Sequence, residues 1–397
     1  MKAGWEVKAL GQVAKTSSGG TPLKSNRGFY EGGDIPWLVS GEVAGSNIVT
    51  AKRAITQKGL DGSSAKLFPV NSVLVAMYGA TAGEVGILRF QASTNQAVCA
   101  ILPNADYVPE YIYYYFLHIK PWLVGQAVGN AQPNISQAKI KAVKIPLPPL
   151  DEQKRIVAVL DAAFEGLTRA RIHVETNLQN ARELFERSVA LALSSKGEAV
   201  ELKDVVSFHN GDRGKNYPNK SEYVVEGVPW LNTGQILPDG SLNATKMNFI
   251  TREKFQSLGG GRVQQGDLVF CLRGATIGKT AFVAPHTEGA IASSLMIIRP
   301  SGKISDRYAF YFLTSDLGKE EIKRFIGGAA QPNLAGESVG RFRVSLPSRQ
   351  IQDEIVEQLD QIKNACESLA TCQAAKLQDL DDLRQSLLQK AFAGELT

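Results

Sequence analysis

Gly79-Ala80-Thr81 recurs as Gly274-Ala275-Thr276, and it does not recur alone. Pro36-Trp37-Leu38 returns as Pro229-Trp230-Leu231, Ala131-Gln132-Pro133-Asn134 as Ala330-Gln331-Pro332-Asn333, and Leu160-Asp161 as Leu359-Asp360. Between the copies the offset drifts slowly and in one direction. A drift of that kind means a shared order of elements with small loop insertions, the signature of a duplicated domain. The 397 residues are too many for one ordinary core, and two similar units plus connecting elements account for the length.

Each copy divides into a mixed segment and a long helical one. In the mixed segments, residues 1–150 and 199–348, short runs rich in Val, Ile and aromatics alternate with glycine clusters such as Ser18-Gly19-Gly20, Gly32-Gly33 and Gly259-Gly260-Gly261, which read as strands joined by turns. Val73-Leu74-Val75-Ala76-Met77 and Asp267-Leu268-Val269-Phe270 are buried-strand candidates at matching repeat positions. The aromatic runs of 109–119 and 306–313 have helical spacing and read as core rather than as a base-stacking surface.

Prolines close both mixed segments, at Pro146, Pro148 and Pro149 and again at Pro347, and proline suits the entry to a helix. Over 151–198, apolar residues fall at Ile156, Leu160, Ala163, Leu167, Ala170, Val174, Leu178, Ala181 and Phe185. Over 349–397 they fall at Ile355, Leu359, Ile362, Cys366, Leu369 and Cys372, then Leu380, Leu383 and Leu387. One apolar seam on a helix of that length calls for a partner helix, and the other copy is the obvious one. The expected fold is therefore α+β (mixed α/β): two similar globular domains separated by two long antiparallel helices in a coiled-coil-like spacer, a pseudo-twofold internal repeat.

Charge is unevenly spread. Residues 1–150 carry 14 basic against 8 acidic side chains and 199–348 carry 18 against 14, whereas 151–196 balance at 7 each and 349–397 carry 5 against 9. The globular halves are basic, a weak nucleic-acid signal on its own. No apolar run is long enough to cross a bilayer and the start carries no signal-peptide core, so the expected location is the cytoplasm, with no membrane partner. Cys99, Cys271, Cys366 and Cys372 are too few and too scattered for a disulfide framework or a zinc site, and read as reduced packing residues.

Catalytic equipment is missing. Residues 274–280, Gly-Ala-Thr-Ile-Gly-Lys-Thr, have three residues between the glycines where a phosphate-binding P-loop needs four, and the first copy lacks the lysine. His118, His173, His209 and His286 join no nucleophile motif, and no metal cluster is apparent. What recurs is a glycine turn beside polar residues. The turns Gly79-Ala80-Thr81 and Gly274-Ala275-Thr276 leave backbone N–H groups free for an anion, with Tyr78 and Arg273 at the equivalent preceding position. Gln132, Asn134, Gln331 and Asn333 can hydrogen-bond base edges or phosphates.

Four stretches resemble the specificity subunit of type I restriction-modification systems. They are Gly4-Trp5-Glu6-Val7-Lys8-Ala9-Leu10, Gly33-Asp34-Ile35-Pro36-Trp37-Leu38, Ile145-Pro146-Leu147-Pro148-Pro149-Leu150-Asp151-Glu152-Gln153-Lys154-Arg155-Ile156, and Leu383-Arg384-Gln385-Ser386-Leu387-Leu388-Gln389-Lys390-Ala391-Phe392-Ala393-Gly394-Glu395-Leu396. The resemblance covers the whole chain. It implies two target-recognition domains (1–150 and 199–348), each reading one half of a split, asymmetric double-stranded DNA target, held apart by conserved helices (151–198 and 349–397) that act as a ruler.

It also implies partners: two modification subunits that bind S-adenosylmethionine and methylate adenine, and restriction subunits that use ATP and Mg to translocate and cut DNA. The chain itself would bind no cofactor and catalyse nothing. The second junction, Leu346-Pro347-Ser348-Arg349-Gln350-Ile351-Gln352, departs from the pattern by losing the double proline and the Asp-Glu.

Base reading is expected from polar turn residues that differ between the copies: Lys24, Asn26 and Arg27 beside Arg213, Lys215 and Asn216, and Ser40 and Glu42 beside Thr233 and Gln235. The competing readings are a two-domain protein-binding scaffold or adaptor, and a stand-alone DNA methyltransferase or nuclease.

Overall fold

A computed structural model describes residues 4–126, 134–194, 197–326 and 333–396. They fall into two compact units: residues up to 174 together with 374 onward, and residues 175–373. Each unit thus holds one mixed segment and parts of both long helices, Leu150–Ser194 and Arg349–Ala393.

In the first unit a five-stranded sheet runs in the order Thr16–Ser18, Val98–Ile101, Val73–Ala76, Val85–Leu88, Gly45–Ile48, and a four-stranded sheet in the order Ala54–Ile55, Ile35–Leu38, Ala92–Thr94, Leu67–Phe68. The central strands are apolar at every position because both faces are covered. Val73, Val75, Cys99 and Ile101 face a cluster built with the helix Pro109–Gly125, whereas Leu74, Ala76, Val98 and Ala100 face Leu38, Phe68 and Ala92 of the smaller sheet. The glycine at position 86 is required there, since a Cβ would lie 2.2 Å from the Val43 carbonyl oxygen.

The second unit repeats this order. Its sheets run Val206–Asn210, Leu295–Pro300, Leu268–Cys271, Thr280–Phe282 and Asn248–Ile250, Val228–Leu231, Gly289–Ile291, Arg262–Val263. Leu268 and Phe270 face the helix Asp306–Thr314, and Val269 and Cys271 face the other sheet. In both units the parallel pairing of the tryptophan strand, Trp37 with Ser93 and Trp230 with Ala290, is kept.

The aromatic runs are core, as expected. Tyr111, Tyr113, Tyr114, Tyr115 and Phe116 are buried, as are Tyr308, Phe310, Tyr311 and Phe312. Their hydroxyls find fixed partners: Tyr111 donates to the Pro146 carbonyl at 2.7 Å and Tyr308 to that of Ser345 at 2.8 Å, and Tyr114 and Tyr311 donate to Asp161 and Asp360 of the long helices. Burial pushes the Tyr308 hydroxyl up to about 12, so these groups stay neutral donors across the physiological range.

Within each unit the two long helices pack against one another. In the first, Arg171 pairs with Asp381 and the Arg384 guanidinium lies 4.9 Å from the centre of the Phe164 ring; rising numbers on one helix meet falling numbers on the other, so the pair is antiparallel. In the second, the Cys366 thiol donates to the Ala181 carbonyl at 3.4 Å. The seam on the first helix follows the expected positions, but the second corrects the reading. Leu369 is 39% exposed, Leu383 is 49% exposed and Cys372 is exposed, so Cys372 is no packing residue, while Gln373 is buried in their stead. At about 100° per residue, the six residues from Cys366 to Cys372 turn roughly 240° away from the seam, whereas the seven to Gln373 return within about 20°. Cys99 and Cys271 are buried as expected, and burial raises the Cys99 thiol to about 12.

The start of each long helix is locked by a buried glutamine. Gln153, 1% exposed, donates to the Pro148 carbonyl at 3.0 Å and accepts from the Val108 amide at 3.0 Å, tying the long helix to the loop that opens the aromatic helix. Gln153 also donates to the Asp106 carbonyl at 3.3 Å, and Gln352, fully buried, repeats all three bonds with Pro347 (3.0 Å), Ser305 (2.9 Å) and Lys303 (2.9 Å). Among the described residues no helix is long and apolar enough to cross a membrane. Gln352→Ala strands three buried backbone groups and is expected to destabilise the second unit by about 2–3 kcal/mol in denaturant unfolding; Gln153→Ala does the same for the first unit, and an unchanged midpoint for both variants would refute the locking role.

Candidate nucleic-acid interface

Both glycine turns fold alike. Gly79–Thr81 and Gly274–Thr276 form single helical turns that follow the central strand, and Gly79 and Gly274 adopt φ of 71° and 72°, the left-handed region that favours glycine. Thr81 and Thr276 donate their hydroxyls back to the Tyr78 and Arg273 carbonyls at 3.3 and 3.4 Å, so these side chains shape the turn. No side chain caps either turn, so its first amides have no capping acceptor.

Beside each turn a backbone bridge joins the preceding residue to the recurring asparagine, Tyr78 to Asn134 and Arg273 to Asn333. The structure therefore brings together Tyr78, Gly79, Thr81 and Asn134 in one unit and Arg273, Gly274, Thr276 and Asn333 in the other. Gln132 and Gln331 lie outside the described residues.

In the second unit this edge opens into a cleft of about 620 Å³ lined by Asn210, Asp212, Arg213, Gly260, Arg273 and Asn333 among others. The wall that carries Arg213 is held by Asp212, whose carboxylate accepts from the amides of Gly259 and Gly214, both at 2.7 Å. These two bonds hold the Asp212 carboxyl below the usual carboxylate range. Lys215 follows on the same exposed loop, and Asn216 donates its amide to the Ser257 carbonyl at 2.6 Å, so its donor is already engaged.

Other expected site residues have structural work. Glu42 reaches back to the Val39 amide at 3.0 Å and accepts from Lys52 N at 2.9 Å, closing the turn Ser40–Glu42. Gln235 is buried, accepts from the Asn232 amide at 2.9 Å and donates to the Lys246 carbonyl at 3.0 Å, closing the turn Thr233–Gln235. Those bonds hold both side chains against their own turns, and Gln235, being buried, presents no group to a ligand. Ser40 and Thr233 sit half-buried at the starts of those turns.

The pairing of Lys24, Asn26 and Arg27 with Arg213, Lys215 and Asn216 is also corrected. Ser18 pairs with Cys99 as Asn210 pairs with Met296, which makes Thr21 the counterpart of Arg213. Asn26 instead caps the turn Arg27–Phe29 by accepting from the Gly28 amide at 3.1 Å, as Asn219 precedes the turn Lys220–Glu222. Lys24 is exposed and Arg27 is exposed beside Glu31 at 3.9 Å.

Because the Asp212 pKa is lowered, the anchoring it gives is fully present above the ordinary aspartate pKa and is lost as pH falls through its depressed folded value. Asp212→Asn is expected to speed hydrogen exchange at the Gly214 and Gly259 amides by about tenfold or more at neutral pH and to remove the acid-side transition in that protection. Exchange rates equal to wild type would show that the carboxylate does not hold the wall.

Two solved structures share the fold over the whole chain. One, described as the structural basis of complex assembly and conformational transition of the type I R-M system, matches 100% of this chain and 99% of its own at a TM-score of 0.79 and 20% identity. The other, the HsdS subunit from Thermoanaerobacter tengcongensis, matches 100% and 98% at 0.62 and 21%. Among curated proteins, the MjaVIII type I restriction enzyme specificity subunit of Methanocaldococcus jannaschii is 25% identical over 91% of this chain and 87% of its own. The EcoR124I/EcoR124II specificity subunit of Escherichia coli is 31% identical over 42% of each. The family model "Type I restriction modification DNA specificity domain" matches twice, at residues 2–175 and 195–378. With both repeats matched, the chain belongs to the type I restriction-modification DNA specificity family.

Proposed function

We propose that this chain is the DNA-specificity subunit of a type I restriction-modification complex, in which each globular segment reads one half of a bipartite, asymmetric target. The observation that carries this is the repeated edge: the same glycine turn and asparagine bridge stand in both units, while the side chains around them differ. Contacts to phosphate carry no sequence information and can be shared by both copies, whereas contacts to bases must differ if the half-sites differ. The free amides of Gly79–Thr81 and Gly274–Thr276 suit phosphates, and Tyr78, Asn134, Arg213, Arg273 and Asn333 face the bases, with Lys24, Arg27, Ser40, Lys215 and Thr233 at the margins. The basic balance of both globular segments supports attraction to the duplex.

Catalysis would lie elsewhere in the complex: two modification subunits, docked on the long helices, would bind S-adenosylmethionine, and restriction subunits would use ATP and Mg. The assembly works in the cytoplasm. The helices would also set the gap between half-sites. One heptad adds about 10 Å of helix, close to the rise of about three base pairs.

Methylome sequencing of cells that make the cognate modification subunit, with and without this chain, is expected to show a bipartite methyladenine motif only when the chain is present. A competent modification subunit that gains no motif would favour a protein-binding adaptor. Inserting one heptad after Leu167 and another after Leu380 is expected to lengthen the unread spacer by about three base pairs with both half-sites unchanged; an unaltered spacer would sink the ruler.

A further inference from the structure

The cleft of the second unit is not matched side chain for side chain in the first. Strand registers make Ser18, Thr21, Tyr78 and Asn134 the counterparts of Asn210, Arg213, Arg273 and Asn333. Only the asparagine is kept. In the first unit the floor is filled by Gln137, which bonds the Ser18 hydroxyl at 3.3 Å and that of Thr16 at 2.9 Å. Its counterpart is Gly336, where a Cβ would stand 3.7 Å from Asn210 Oδ1 and 3.2 Å from Met296 Sδ. The absence of a side chain at 336 deepens the cleft and leaves the Asn210 amide facing open space.

The two arginines of this cleft are also unspent. Of the nine arginines in residues 197–348, Arg252, Arg262, Arg299, Arg307, Arg324 and Arg341 are engaged by carboxylates or carbonyls, and Arg343, on the strand Arg343–Leu346, does not line the cleft. Among the described residues, the guanidinium groups of Arg213 and Arg273 have no such partner. The carboxylate nearest in sequence, Asp212, is turned to the Gly214 and Gly259 amides, one on each oxygen.

We propose that this cleft reads guanine, the arginine forks of Arg273 and Arg213 donating to O6 and N7 in the major groove, and that the first unit reads its half-site without an arginine at these positions. The inference rests on the DNA-specificity reading above. Arginine presents two parallel donors to the two acceptors that only guanine shows on that edge, and the pairing discriminates strongly against other bases. Phosphate binding would not require the difference between copies, because both half-sites carry the same backbone. Gly336 serves the same end by sterics, since a base edge can enter only where the floor is open.

The test uses the full chain assembled with its modification subunit and competition binding to duplexes in which each target base is replaced in turn, at several salt concentrations. Arg273→Ala and Arg213→Ala are expected to lower the preference for guanine in one half-site by about 10- to 100-fold, with the other half-site and the salt slope unchanged. Gly336→Gln, which imports the first unit's residue and removes no charge, is expected to weaken the same preference. Uniform weakening across all duplexes with a salt slope shallower by about one per arginine would overturn the proposal, as would a half-site that responds to these variants but contains no guanine. A wild-type complex that binds every duplex alike would overturn the DNA-specificity reading itself, and this inference with it.

Discussion

The buried glutamine at the start of each long helix is the constraint on which the rest of each unit depends. Its amide joins three segments distant in sequence: the strand that ends the mixed segment, the loop that opens the aromatic helix, and the first turn of the long helix. A buried amide satisfies these partners in one geometry only, and an unsatisfied one costs more than a typical hydrogen bond contributes. The helix direction is thereby set against the body of the unit, and a tyrosine-to-aspartate bond about two turns further along each helix reinforces it. The departure at the second junction, where the double proline and the Asp-Glu are missing, leaves this lock intact because Gln352 is retained.

Duplication let the two copies divide their obligations. What carries folding is repeated: the tryptophan strand, the glycine turn, the asparagine bridge, the aromatic helix, the glutamine. What faces the open edge has diverged, so that Thr21, Tyr78 and Gln137 stand where Arg213, Arg273 and Gly336 stand. The helix pair has diverged as well. Phe164 and Arg384 stack in the first unit, and the residues a repeat away, Lys363 and Phe185, line an apolar cleft of about 450 Å³ in the second with cation and ring exchanged between the helices.

Much of the fold was legible beforehand because its signals are local. Apolar runs with glycine punctuation marked the strands, helical spacing placed the tyrosines in the core, and proline followed by a long seam placed both helices within a few residues of their observed starts. What a polar side chain touches was not legible in the same way. Glu42 and Gln235 have the composition of base readers, yet each folds back on its own turn. Asn216 and Asn26 likewise satisfy nearby backbone. Short polar residues in turns can bond the chain or a ligand equally well, and spacing does not distinguish the two.

The sequence by itself determined the duplication, the class of fold, the two helices and the family, because repeated order and hydrophobic period are properties of the chain in one dimension. Only the tertiary structure decided which loops share an edge, that Arg213 answers to Thr21, that Gln373 and not Cys372 enters the seam, and that Gly336 opens a floor that Gln137 closes. Those facts arise from register and from van der Waals distances between segments far apart in sequence, and they exist only once the strands have paired.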